Sequence, residues 1–181
     1  MKKILFFVVL FTMSNFSMFA QEVQEPEFVG ETYLLQEQTP ILIERDYARF
    51  KSGVSWTHNS WNALSLCIDG KHASTRTKAG KLTFVVKATD NNSDPMSIIT
   101  IFKLKSKSNK RSIVLSADNS DQLFHSSKTY TKNLMKFTGK KYGESSYLIT
   151  TNLEKGEYAI LVKNPNNTDE KSVVVSCFGL D

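Results

Sequence analysis

Short apolar runs of four to nine residues, separated by clusters of Gly, Asn, Asp and Pro, recur along most of this chain. That rhythm restricts it to an all-β fold, because alternation over so few residues is satisfied by half-buried strands and not by helices. Strands are predicted at 32–35, 41–45, 64–69, 82–88, 97–105, 111–117, 146–151, 157–163 and 172–178. Asp69-Gly70, Ala79-Gly80, Lys155-Gly156 and Asn164-Pro165-Asn166-Asn167 stand where apolar runs stop, and they supply residues that tolerate or preset turn dihedrals. The clearest hairpin spans 97–117, where Ile98, Thr100, Phe102 and Leu104 alternate with Ile99, Ile101, Lys103 and Lys105 before a polar tip at 106–110. Its first strand should be buried on both faces at the start and on one face at the end, with the lysines in water. Between 121 and 137 the apolar spacing is irregular and predicts a long loop or distorted strand. With no internal repeat and no dividing linker, residues 31–181 should form a single antiparallel β-sandwich of about nine strands, with the jelly roll as one form of it.

The first residues follow a different rule. Met1-Lys2-Lys3 is a positive start, 4–11 is a continuous apolar run, and Ser17-Met18-Phe19-Ala20 leads into Gln21. This pattern predicts a secretory signal peptide, residues 1–20, cleaved after Ala20. The apolar run is far shorter than the ~20 residues a spanning helix needs, and no later stretch approaches that length. No cysteine follows soon enough to accept a lipid anchor. The mature chain is therefore expected in the periplasm or outside the cell, with no membrane span, and 21–30, acidic and holding Pro26, as a flexible lead-in.

Cleavage would remove Lys2 and Lys3 from a chain whose formal net charge is +5. What remains is uneven: 71–142 holds fifteen bases against four acids, whereas both flanks are acidic. A basic middle suits an anionic partner, but Lys on strand edges also guards against edge-to-edge aggregation. The bases are mostly Lys and lack interleaved aromatics, so no nucleic-acid partner is expected. Cys67 and Cys177 are the two cysteines; an oxidising compartment permits one bridge between them, and free buried thiols are equally compatible with their apolar strands. Neither has a second Cys or a His at ligand spacing, so no metal or other cofactor is assigned.

Trp56-Thr57-His58-Asn59-Ser60-Trp61-Asn62 contains both tryptophans of the chain among polar neighbours. Flat apolar faces beside hydrogen-bonding groups recognise sugar rings or protein surfaces, which makes Trp56, His58, Asn59, Trp61 and Asn62 the candidate ligand-binding residues. The competing role is a core plug at one end of the fold. His58, His72 and His125 lack the i,i+2 or i,i+4 relation that preorganises metal ligands. Gly53-Val54-Ser55-Trp56-Thr57 begins like a nucleophile elbow but lacks the second small residue. Asp90-Asn91-Asn92-Ser93-Asp94 begins like a calcium loop, then places Pro95 at the turn and Ile101 at the closing position, and so predicts a solvated loop. The acid pairs Asp118/Asp121, Glu44/Asp46 and Glu154/Glu157 are unspecific, because glycoside hydrolysis needs opposed carboxyls at a separation that spacing on loops does not fix. No catalytic residue is assigned.

Leu153-Glu154-Lys155-Gly156-Glu157-Tyr158-Ala159-Ile160 and Val175-Ser176-Cys177-Phe178-Gly179-Leu180-Asp181, with the leader ending Phe19-Ala20-Gln21, form one further pattern. It resembles the closing hairpin of uncharacterised secreted β-sandwich domains of Bacteroidota. The resemblance implies fold and export, and no residue with a chemical role. The expected function is a secreted or periplasmic non-catalytic binding module for carbohydrate or a surface protein. An envelope structural or assembly protein is the alternative, and a polysaccharide hydrolase a third.

Overall fold

The computed structural model describes residues 23–37, 39–54, 61–119, 126–129, 133–169 and 171–181. The fold is all-β. Fourteen strands and one helical turn are found among these residues: β1 (Thr32–Gln36), β2 (Thr39–Leu42), β3 (Glu44–Val54), β4 (Trp61–Asp69), β5 (Arg76–Thr77), β6 (Gly80–Lys87), α1 (Pro95–Ile98), β7 (Ile99–Lys107), β8 (Lys110–Asn119), β9 (Ser126–Thr129), β10 (Leu134–Met135), β11 (Thr138–Tyr142), β12 (Ser146–Leu153), β13 (Gly156–Val162) and β14 (Ser172–Leu180). No helix among the described residues is long and apolar enough to cross a membrane.

One sheet has five strands in the order β11-β12-β6-β1-β2. The larger sheet runs β7-β13-β14-β3-β4-β8 and returns to β7, which makes a six-stranded barrel. Every pairing is antiparallel except the short β5 beside β14. Closure is the departure from two open sheets, and it rests on three pairs: Lys105 with Ser112, Ser106 with Arg111, and Lys107 with Lys110. Beyond them β8 leaves β7, a register shift opens in its ladder with β4, and β10 takes the vacated edge of β7 at Ile101 and Phe102.

The apolar pattern divides between two cores. Leu34, Phe84, Ile101, Tyr147, Ile149, Tyr158, Ile160 and Phe178 lie between the five-stranded sheet and the outer wall of the barrel at β7, β13 and β14. Ala48, Leu66, Ile68, Phe102, Leu104, Ile113, Ala159, Val175 and Cys177 fill the barrel itself, as small barrels require. Strand β13, and β14 from Val175 onward, are therefore buried on both faces. In β7 the first half, Ile99 to Phe102, is buried or half-buried on both sides, whereas Lys105 and Lys107 are exposed. Lys103 lies between, its Nζ 5.9 Å from the centre of the Tyr158 ring and 3.5 Å from Glu154.

Two further elements differ from expectation. The strand predicted at 41–45 is two strands separated by the buried Ile43, whose N–H donates to Thr32 (2.9 Å). From Glu44 the chain continues as β3 to Val54, and the polar residues that alternate along it hid the strand. The acidic lead-in is fastened from Val23 onward: the Tyr142 hydroxyl donates to the Val23 carbonyl, Pro26 is buried, and the Glu25 carboxylate accepts from Ser146 Oγ (2.6 Å), Ser145 N–H (3.2 Å), Glu144 N–H and Lys87 Nζ (3.0 Å).

Cys67 and Cys177 are free thiols. Cys177 stands opposite Glu44 and points into the barrel, whereas Cys67, between the inward Leu66 and Ile68, stands opposite Arg49 and points outward. Two strand spacings and five residues of stagger separate their Cα atoms by more than about 15 Å on strand geometry. A disulfide spans at most ~7 Å.

Candidate functional site

Of the candidate ligand-binding residues, Trp56, His58 and Asn59 lie outside the described residues. Trp61 and Asn62 open β4, where their backbones pair with Asn119 and Asp118 of β8, and their side chains also lie outside the description. They stand at the end of the barrel away from Glu44, since β3 runs from Glu44 to Val54, which pairs with Asn62.

Three of the acids weighed in the sequence, Glu44, Asp46 and Glu157, serve the other end of the barrel. There the segment from Gly70 to Thr75 crosses the mouth, with Ala73 buried as a plug. Glu157, itself buried, accepts from Ala73 N–H (2.9 Å) and Arg76 Nη1 (2.9 Å) and pairs with His72 Nδ1 (3.1 Å). Burial pushes its carboxyl upward, but the Ala73 amide, Arg76 and His72 outweigh that and hold it below the ordinary range. Glu44 binds the Ser74 amide and hydroxyl. Asp46 receives Nη2 of the buried Arg111 (2.7 Å), and that guanidinium also donates to the carbonyls of Gly70 and Asp69. Asp118 has no described side chain, and Asp121 lies outside the described residues. The carboxylates Glu44, Asp46 and Glu157 brace a cap, each bonded to groups of the segment that crosses the mouth or to Arg111.

The 90–94 loop is likewise committed to structure. Asn91, buried, donates to the carbonyls of Gly143 (3.1 Å) and Ser146 (3.3 Å), Asp90 accepts from Asn92 N–H (2.8 Å), and Asp94 caps α1 through Met96 N–H (2.8 Å). Among the described residues no three His, Cys, Asp or Glu side chains gather as a metal would require.

A site with different chemistry lies on the outer wall of β3 and β14. Strand alternation aims Arg45 and Tyr47 away from the barrel interior, where Asp46 and Ala48 point. Tyr47 stands directly opposite Val174, and Arg45 opposite Ser176. The two sides of the wall are then built up. On one, the Ser176 hydroxyl donates to the Gly30 carbonyl (2.9 Å), which holds Val29 and Gly30 against β14. On the other, the β13–β14 connection rises as an amide-rich loop. Between them is a cavity of about 350 Å³ lined by residues that include Arg45, Tyr47, Asn164, Asn166, Asn167, Asp169 and Val174. That volume lies at the small end of ligand sites.

The loop is ordered by its own side chains. Asn164 Oδ1 accepts from Asn166 N–H (2.9 Å), and Asn167 Oδ1 accepts from Asp169 N–H (3.2 Å) while its Nδ2 reaches the Ser172 carbonyl (3.4 Å). Asp169 accepts from the Ser172 hydroxyl and from Lys171 N–H (2.8 Å), and these bonds, the hydroxyl first, hold its carboxyl below the ordinary range. Arg45 is fixed by Glu31 (3.0 Å). Against this rigid frame Tyr47 is 76% exposed, the most exposed of the large hydrophobic side chains among the described residues. Its hydroxyl and the Asn166 side-chain amide have no hydrogen-bond partner among those residues, and both residues line the cavity.

A wider groove, about 1020 Å³, opens between the β1–β2 turn and β5. It offers Lys78, Lys81 and aliphatic carbon but no exposed aromatic ring, and its Arg76 is already taken by Glu157 and Asp181. No protein-family model, curated protein or solved structure matches the chain.

Proposed function

We propose that this chain is an exported, non-catalytic module that binds carbohydrate in the Tyr47 groove. The observation that carries the reading is Tyr47 itself, 76% exposed in the middle of a well-paired strand. A tyrosine ring that could be buried is instead held in water, in a cavity that also holds the Asn166 side-chain amide, whose hydrogen bonds are unspent among the described residues. A pyranose has one apolar face and a rim of hydroxyls that both donate and accept, so an aromatic plate flanked by amides complements it. The frame costs little to order on binding, because Asn164, Asn167 and Asp169 have already fixed the loop. The non-catalytic part of the reading is supported by Glu44, Asp46 and Glu157, which are all spent on the barrel cap. The leader at 1–20 supports export.

Tyr47→Ala is expected to weaken retention on the immobilised polysaccharide that binds best by at least about tenfold, the size of an aromatic anchor in a small site. The fold should be unaffected, because the side chain touches no core; a thermal melt by circular dichroism checks this. Equal retention of the two proteins would remove the groove from the reading.

A further inference from the structure

We infer that the Tyr47 groove selects uncharged sugar units over acidic ones, an inference that rests on the carbohydrate reading of the same site. Two charged side chains, Arg45 and Asp169, line the cavity among the described residues. Arg45 is not free to meet an anion. Its Nη2 is 3.0 Å from Glu31 Oε1, and Glu31 is buried with its other oxygen accepting the amides of Glu27 (3.1 Å) and Phe28 (3.0 Å). A carboxylate held on three sides does not swing away, so the pair enters the site as a neutral unit whose spare guanidinium N–H groups are hydrogen-bond donors.

Asp169 is different. Its oxygens take a hydroxyl and an amide, neither of them a cation, and no ion pair offsets its charge among the described residues. Lys171 acts on it only at longer range and forms no ion pair with it, so a negative charge stands on the loop wall. A uronate or sulfated sugar entering between that wall and Tyr47 would bring a second negative charge into a cavity whose lining holds, among the described residues, no cation but the paired Arg45, and there like charges repel and exclude. A neutral pyranose meets no such barrier. The unspent groups that remain, the Tyr47 hydroxyl and the Asn166 amide, both donate and accept, as sugar hydroxyls do.

The test compares retention of the full chain on neutral polymers (β-glucan, mannan, galactan) and acidic ones (polygalacturonate, alginate, hyaluronan). Wild type, Tyr47→Ala and Asp169→Asn are run at about 50 and about 500 mM NaCl, which spans strong and weak screening. Asn at 169 keeps an oxygen for Lys171 N–H, and a thermal melt confirms folding. Expected are Tyr47-dependent retention on at least one neutral polymer that changes less than about twofold with salt, and binding to every acidic polymer weaker by about tenfold or more. In Asp169→Asn the ratio of acidic to neutral retention should rise by about threefold or more. Tyr47-dependent retention that is stronger on an acidic polymer would overturn the selectivity and leave the carbohydrate reading standing. Absence of Tyr47-dependent retention on any polymer of either class would overturn both.

Discussion

Phe178→Ala should destabilise the protein by about 4 kcal/mol, a large part of what a domain of this size has to lose. Phe178 is fully buried in the layer between the barrel and the five-stranded sheet. Its ring stacks on Tyr158 at 5.5 Å and meets Phe84 of the opposite sheet at 5.2 Å. Truncation removes the contact that joins β14 to β6 across the interface and leaves a void walled by two aromatic rings, which cannot collapse without moving both sheets. For a urea dependence of about 2 kcal/mol per molar, the unfolding midpoint should fall by about 2 M. Val174→Ala, four residues earlier on the same strand but 42% exposed, is the control and should change stability by less than about 0.5 kcal/mol. Similar small losses for the two variants would mean that the two layers do not meet at Phe178.

Glu25→Gln should cost about 2 kcal/mol near neutral pH and little near pH 2. Burial raises the Glu25 carboxyl, but the Ser146 hydroxyl, the Glu144 amide, Lys87 and the Ser145 amide together lower it to about 2. Unfolded, the same group titrates near its ordinary value of about 4.3. A carboxylate whose folded value is depressed adds stability that is complete above the unfolded value and is lost as pH falls through the folded one. The window therefore runs from about 4.3 down to about 2, and two units correspond to roughly 3 kcal/mol, of which Gln keeps a part through its remaining acceptor oxygen. Urea midpoints of both proteins at neutral pH and near pH 2 measure it. A gap of the same size at both would show that the segment is held by packing and not by the ionised carboxylate. The site has little room to adapt, since a side chain on Gly143, which has φ +55°, would run into that carboxylate.

These two residues also mark the boundary of what the sequence makes legible. Phe178 is readable: apolar runs at 157–163 and 172–178 flank the turn residues Asn164-Pro165-Asn166-Asn167, and the β13–β14 hairpin follows from that pattern. Glu25 is not, because its partners lie 62 and 119 to 121 residues later and an acidic stretch with a proline carries no period. The barrel is hidden for a related reason. The β7–β8 hairpin that closes it is legible at 97–117, but no apolar pattern says that β8 also pairs with β4 and β7 with β13, so an open sandwich and a closed barrel read alike until those pairings are seen. The inner face of β3 conceals itself in another way, since Asp46 points into the barrel and is tolerated only because Arg111 meets it there. Asn164 to Asn167 was legible as a turn but not as one wall of a site. Tyr47 was passed over because an aromatic residue in a strand is ordinarily core. Its exposure depends on register: the pairing with Val174 puts it on the outer wall where the five-stranded sheet does not reach. The tryptophan hairpin attracted attention by composition, and residues 55–60 lie outside the described structure.

The central claim is that sugar is held between Tyr47 and the 164–169 loop, and amide chemical-shift mapping by NMR tests it most directly. The full chain is titrated with an oligosaccharide of the neutral polymer that it retains best. The shifts are expected to concentrate on Arg45, Tyr47, Asn164, Asn166, Asp169 and Val174, with the barrel cap around Ala73 silent. Shifts confined to the 55–62 hairpin, with the outer wall of β3 and β14 unmoved, would contradict it.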